Sequence, residues 1–247
     1  MELSRRLRAV AGLVESGNVL ADIGTDHAYI PIFLVGSGRI PSAVAMDVNR
    51  GPLKRAEENI RALGYSDRIS VRLSDGFASL GEGEAQSAVI AGMGGPLMIR
   101  ILSEGKRIVH TLRECILQPQ SEIEKVRAFL TGEGFSFIRE DIVEEDGKYY
   151  PMMKVRPPSG DRREAGYRDD GWNGTELRYG KLLLRERHPV LKRYLEREIR
   201  LCENIIGQLE EKGSPPASDR RRELIAKLEC AQKGVEYYAV PGDRPCH

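Results

Sequence analysis

Carboxylates punctuate the first half of this 247-residue chain at three places, each closely following a short apolar run. The first is Asp22-Ile-Gly24-Thr-Asp26-His27-Ala-Tyr29. Where a strand turns into a helix through such a segment, a doubly wound fold opens the crevice in which strand ends and helix N-termini meet a ligand. Asp47 ends the next apolar run 23 residues after Gly24, close to the ~20 residues that separate a phosphate-loop glycine from a ribose-binding carboxylate. Leu73-Ser-Asp75-Gly76-Phe77 follows the third run. Its carboxylate suits an adenine amine, with Phe77 near the ring, although Asp-Gly also suits a plain turn. A fourth run ends in Ala91-Gly92-Met93-Gly94-Gly95, where bare backbone offers room for a flat base or forms a simple loop.

Charge narrows the ligand. A dinucleotide fingerprint needs further glycines so that the backbone can approach a pyrophosphate, but Asp26 stands at the second glycine position and Ala28 follows. A carboxylate there repels pyrophosphate, which disfavours a nicotinamide-dependent oxidoreductase. S-adenosylmethionine carries an ammonium and a sulfonium and no phosphate, so Asp22 can sit near its amino-acid end. Helix capping is the plainer reading of Asp22 and Asp26. Enzymes that methylate an exocyclic adenine amine carry Asn or Asp, then Pro-Pro and an aromatic residue, after the fourth strand. Its absence here tilts the target toward a ring nitrogen, whose in-plane lone pair needs positioning more than activation.

The elements that must place these residues follow from patterning. Leu3 to Val14 has helical spacing and ends at Ser16-Gly17. Continuous apolar runs at Val19–Ile23, Ala43–Asp47, Ile69–Leu73, Ala88–Ala91 and Cys115–Leu117 suit strands buried on both faces of a parallel sheet. Helical patterns alternate with them, clearest from Gly51 to Leu63, as in right-handed βαβ units. A helix over Glu122–Leu130 and a closing hairpin, Phe135–Val143 and Tyr149–Val155, complete the unit. Past Pro157-Pro158-Ser159-Gly160-Asp161 the strand signal ends. Apolar residues from Leu191 to Leu209 and from Leu224 to Val235 then step by three or four around Gly213-Ser-Pro-Pro, an αα-hairpin pattern. The expected architecture is a Rossmann-like class I methyltransferase fold of the α/β class over residues 1–158, and a coiled-coil-like helical hairpin over 159–247.

Four cysteines without a C-x-x-C spacing give neither a zinc site nor a disulfide framework, so no metal is expected and a reduced, cytoplasmic protein fits. No signal peptide or membrane-length apolar run is present. With 38 Lys+Arg against 37 Asp+Glu, a uniformly basic nucleic-acid binder is excluded. A local excess is not: Arg178 to Arg200 holds eight basic residues against three acidic ones, and Arg220-Arg221-Arg222 adds a second cluster. Such runs serve as solvated helix faces or as phosphate grips.

Six blocks together resemble one family: Leu3-Ser-Arg-Arg-Leu7, Asp22 to Pro31, Val71-Arg-Leu-Ser-Asp-Gly76, Ile90-Ala-Gly-Met-Gly-Gly95, Ile116-Leu-Gln-Pro-Gln120 and Gly147-Lys-Tyr-Tyr150. They are similar to the bacterial tRNA (adenine-N1)-methyltransferases of the TrmK type, strongly to about residue 156 and more loosely in the tail. The resemblance implies methylation, with S-adenosylmethionine, of the N1 ring nitrogen of an adenine in the tRNA D-arm region, position twenty-two. It places Asp22, Gly24, His27, Asp47 and Val48 at the cofactor, together with Asp75, Gly76, Ala91, Gly92 and Met93. Asp26 is the expected catalytic carboxylate, accepting from the exocyclic amine and stabilising the charge that develops on the base, with Tyr29 or His27 stacking on it. The basic tail then grips tRNA in a monomeric enzyme. The alternatives are a methyltransferase-like RNA-binding module without this chemistry and a methyltransferase on another RNA.

Overall fold

A run such as Leu20-Ala-Asp-Ile23 has no polar face, so it is stable only with layers on both sides. The computed structural model, which describes residues 2–158, 171–211 and 219–239, supplies them. Seven strands form one sheet in the order β3-β2-β1-β4-β5-β7-β6. These are β1 (Leu20–Ile23), β2 (Ala43–Asp47), β3 (Ile69–Leu73), β4 (Ser87–Gly94), β5 (Glu114–Ser121), β6 (Ser136–Glu145) and β7 (Lys148–Arg156). The first five pair in parallel, β7 runs antiparallel to β5, and β6 is hairpinned onto β7.

Helices cover both faces. Leu20, Ala43, Ala45, Val89 and Ile116 pack in one core with residues of α1 (Arg5–Leu13), α2 (Tyr29–Gly36) and α3 (Arg50–Ala62). Alternate sheet residues, Ala21, Ile23, Met46, Ile90 and Leu117 among them, meet α4 (Gly95–Glu104), α5 (Lys106–Val109) and α6 (Ile123–Gly132). The strand period of two thus divides one apolar run between two cores. Pro151 sits in β7 opposite Ile142 of β6, beyond the last pairing with β5, so its missing N–H leaves no gap in that ladder.

The strand and helix expectations hold to within a few residues, except that β4 and β5 run several residues longer than their apolar cores. The added residues include the glycine segment, which is strand rather than loop up to Gly94. Arg127 of α6 donates through Nε to Glu140 of β6 at 2.8 Å, with both side chains wholly buried.

The chain divides into two compact units, residues 1–168 and 169–247. The second unit contains α7 (Gly174–Tyr179), α8 (Lys181–Arg185), α9 (Pro189–Glu211) and α10 (Asp219–Ala239). Its seam buries Leu191, Leu195, Leu224 and Ala231, and Gly234 lets α10 approach Leu195 where a Cβ would lie 2.8 Å from Cδ2. The short helices α7 and α8 have no counterpart in the sequence pattern, because neither is long enough to show a period. The expected turn at Gly213-Ser-Pro-Pro and the boundary stretch at 159–161 lie outside the described residues.

Glu140→Ala should leave Arg127 charged in an apolar layer and lower unfolding free energy by about 3–5 kcal/mol, read from the urea midpoint at unchanged m-value.

Candidate functional site

The strand order reverses between β1 and β4, and the chain leaves both at the same edge of the sheet. A cleft of about 340 Å³ opens there, lined by Asp22, Gly24, Asp26, His27, Tyr29 and Gly92 with Arg6, Leu7, Thr25, Ile30, Ala91 and Gln120. Seven of the twelve expected site residues are therefore brought together: Asp22, Gly24, Asp26, His27, Tyr29, Ala91 and Gly92.

Asp22 is the only charged side chain of β1 and is 5% exposed. Burial raises its pKa to about 6; the 2.6 Å hydrogen bond from Thr25 Oγ1 opposes this rise and the nearby Asp47 adds to it. A buried carboxylate with so little compensation favours a cationic partner. The amino-acid end of S-adenosylmethionine offers an ammonium, and no phosphate that the neighbouring Asp26 would repel. The donor set therefore fits that cofactor.

Gly24 turns the chain with φ +75° while its N–H and that of Thr25 both donate to Met46 O. A Cβ at Gly24 would fall 2.1 Å from Met93 Cε, so β1 and β4 close to this degree only over glycine. Met93 thus packs behind the loop rather than lining the cleft. Opposite, Ala91 pairs with Gln118 and Met93 with Pro119, leaving Gly92 (φ +80°) as the extra residue of a bulge. Its N–H donates instead to Gln118 Oε1 at 3.2 Å. The same oxygen accepts from Arg6 Nη1 at 2.9 Å, which carries α1 to the cleft.

Asp26 (φ +47°) does not cap α2, which begins at a left-handed Ala28 without a side-chain cap. Its carboxylate instead meets Arg55 of α3 at 2.5 Å and His27 Nε2 at 3.6 Å. His27 and Tyr29 stack at 4.9 Å, with planes 7° apart. The two rings therefore cover each other on their inner faces.

Asp47, Val48, Asp75 and Gly76 do not line this cleft. Asp47 and Val48 lie next to it at the end of β2, where Asp47 accepts from Asn49 N–H at 2.8 Å. Arg100 of α4 holds Asp75 through both guanidinium nitrogens at 3.1 and 3.2 Å, so Asp75 and Gly76 line a separate hollow of about 250 Å³. Phe77 is 2% exposed, packs under Gly105 and lines the same hollow as Asp75 and Gly76. Sequence reasoning did not single out Arg6, Gln118 or Gln120 individually. Their signal was there in the Leu3–Leu7 and Ile116–Gln120 blocks, but nothing local says that those segments meet.

Residues 3–153 match the methyltransferase-domain family model. The tRNA (adenine(22)-N(1))-methyltransferase of Bacillus subtilis is 32% identical over 96% of this chain and 98% of its own length. This chain belongs to that family. Among solved structures, Streptococcus pneumoniae Sp1610 in complex with S-adenosyl-L-methionine superposes with a TM-score of 0.81 at 33% identity, covering 95% of this chain and all of that one. M. capricolum TrmK with S-adenosyl-homocysteine gives 0.80 at 25% identity over 96% and 99%.

In this family member the tail's cations fall into two groups. Lys181 is buried, donating to Gly171 O at 2.9 Å beneath the Trp172 ring, and Arg187 Nε donates to Tyr237 O. Both cations thus have carbonyl partners within the helical unit. Arg185, Lys192, Arg193, Arg197 and Arg200 are exposed. Arg220, Arg221 and Arg222 pair with Glu223, Glu210 and Asp219, the first and last in exposed contacts that are easily exchanged. Among the described residues no group of three His, Cys, Asp or Glu is placed to hold a metal, and no helix is long and apolar enough to cross a membrane.

The folded chain keeps a proton on Asp22 between pH 3.8 and about 6 that the unfolded chain has lost, so this group's contribution to stability falls across that window. Asp22→Asn removes the cost. It should gain up to about 3 kcal/mol at pH 8 in ligand-free protein and nothing near pH 4, read from denaturation curves at both pH values.

Proposed function

We propose that this chain transfers a methyl group from S-adenosylmethionine to N1 of the adenine at position twenty-two of tRNA. The observation that carries the reading is the cleft at the β1–β4 edge, with a buried, undercompensated Asp22 on its floor, in a chain that matches a tRNA (adenine(22)-N(1))-methyltransferase almost end to end. When bound, the cofactor supplies a methyl group made electrophilic by its sulfonium.

The protein's part is to bind, orient and screen. Asp22 and the Gly24 turn hold the amino-acid end, and Asp47 with Val48 extends the same sheet edge toward the ribose. Asp75 and Gly76 are assigned to the adenine, Asp75 exchanging its exposed pairing with Arg100 for the ring amine. Ala91 and Gly92 form the backbone wall against which the target base lies, with Met93 packed behind the Gly24 turn. Asp26, directed by Arg55, accepts from the exocyclic amine of the target and so turns N1 toward the methyl donor. As N1 becomes alkylated the base gains positive charge, which that carboxylate stabilises. The stacked His27–Tyr29 pair covers one face of the extruded base.

Two finer points belong to the same reading. Residues 1–158 hold the cofactor and 159–247 grip tRNA, with Arg185, Lys192, Arg193, Arg197 and Arg200 on its phosphates. A single chain in the cytoplasm carries both tasks.

With labelled cofactor and tRNA transcript, nucleoside analysis should find 1-methyladenosine at one position, and its absence would overturn the assignment. Asp26→Asn should cut kcat by about 10²-fold or more with cofactor affinity within twofold, whereas near wild-type turnover would remove Asp26 from the mechanism. Lys192→Glu combined with Arg200→Glu should lower tRNA affinity at least tenfold near 0.1 M salt and flatten its salt dependence by about two contacts. An unchanged salt slope would place the grip elsewhere.

A further inference from the structure

Beside the catalytic cleft lies a second, larger cavity of about 480 Å³, lined by Pro119, Gln120, Ile123, Lys148, Tyr149 and Tyr150. None of the proposed chemistry uses it. It is built where the end of β5 faces the start of β7, next to the Asp146-Gly147 turn whose two positive φ angles, +50° and +69°, hold Lys148 opposite Glu145. Its lining contains no carboxylate. Lys148 is exposed and has no ion-pair partner among the described residues, while its cross-strand neighbour Glu145 is occupied by Arg5 N–H at 2.5 Å. Both tyrosines are half-buried.

The two cavities share a wall. Gln120 lines both, and its Nε2 lies 3.7 Å from where a Cβ on Gly92 would be. Arg6, a wall of the cleft, sits 5.6 Å above the centre of the Tyr150 ring. Glu122, next to Ile123 at the cavity, is held in the left-handed region (φ +49°).

We propose that this cavity is a nucleotide subsite for the RNA substrate: it takes a nucleotide adjoining the methylated adenine, its base stacked on Tyr149 and its phosphate on Lys148. The inference rests on the tRNA reading above. Aromatic rings with a single unpaired ammonium and an amide match a base and one phosphate, and base stacking tolerates any sequence. The adenine itself belongs in the cleft, within reach of Asp26, so the adjoining cavity takes its neighbour one phosphodiester away. An acidic peptide is the competing occupant, but a lining of two tyrosines with Lys148 as its one cation favours a base.

The test uses full-length protein, tRNA and S-adenosylmethionine, following initial rates and direct tRNA binding by anisotropy. Tyr149→Ala should raise KM and Kd for tRNA 5- to 100-fold, leave kcat within twofold and leave cofactor affinity unchanged. Tyr149→Phe, which keeps the stacking face, should restore most of the loss. Lys148→Ala, an exposed position that carries no packing, should reduce the slope of log affinity against log salt by about one. If both variants bind tRNA as wild type does, the cavity does not hold RNA. If kcat falls while KM holds, it receives the target base itself, which also overturns the inference. Failure of the tRNA reading would appear separately, as wild-type protein that forms no 1-methyladenosine.

Discussion

Parallel pairing of β1 with β2 on one side and β4 on the other is the constraint on which the rest of this molecule depends. It puts the β1–β2 crossover and the β3–β4 connection on opposite faces of the sheet and leaves a gap at the edge where strand ends converge. It also places Asp22 in a strand buried on both faces, where a carboxylate is costly. The cost is visible as a pKa near 6, and it persists because the residue faces the cleft rather than the core. Stability has been exchanged for a preorganised anion at the place where a cationic ligand group fits.

From that edge, a few polar contacts recruit segments remote in sequence. The Gly92 bulge frees an N–H that Gln118 satisfies, and Gln118 also fixes Arg6. Arg6 reaches Tyr150 on the far hairpin. Through these contacts α1, β4, β5 and β7 share one rim, with α3 added by the ion pair between Arg55 and Asp26. Side chains that look like solvated surface in sequence become supports of a site.

The helical unit shows a different division of labour. Glu198 is buried in the seam between Tyr179 OH at 3.3 Å and Lys227 Nζ at 2.5 Å, and burial together with that carboxylate holds the Tyr179 phenol above its ordinary range. Lys181 and Arg187 are likewise drawn into carbonyl contacts. A count of basic residues cannot distinguish these from the exposed cations of α9, because a periodic pattern ranks apolar positions and is blind to which cation finds a carbonyl.

Strand and helix order, the class of fold, the line of carboxylates at strand ends and the αα-hairpin were all legible in the 247 residues, because hydrophobic period and turn chemistry are local properties. The Asp22, Gly24 and Gly92 positions were legible for the same reason. What only the tertiary structure decided were matters of partnership. Arg55 rather than a helix N-terminus engages Asp26, Arg100 pairs with Asp75, Phe77 packs under Gly105, and Gln118 joins α1 to the cleft. Each is a contact between residues far apart in the chain, and its energy depends on distances that no one-dimensional pattern encodes.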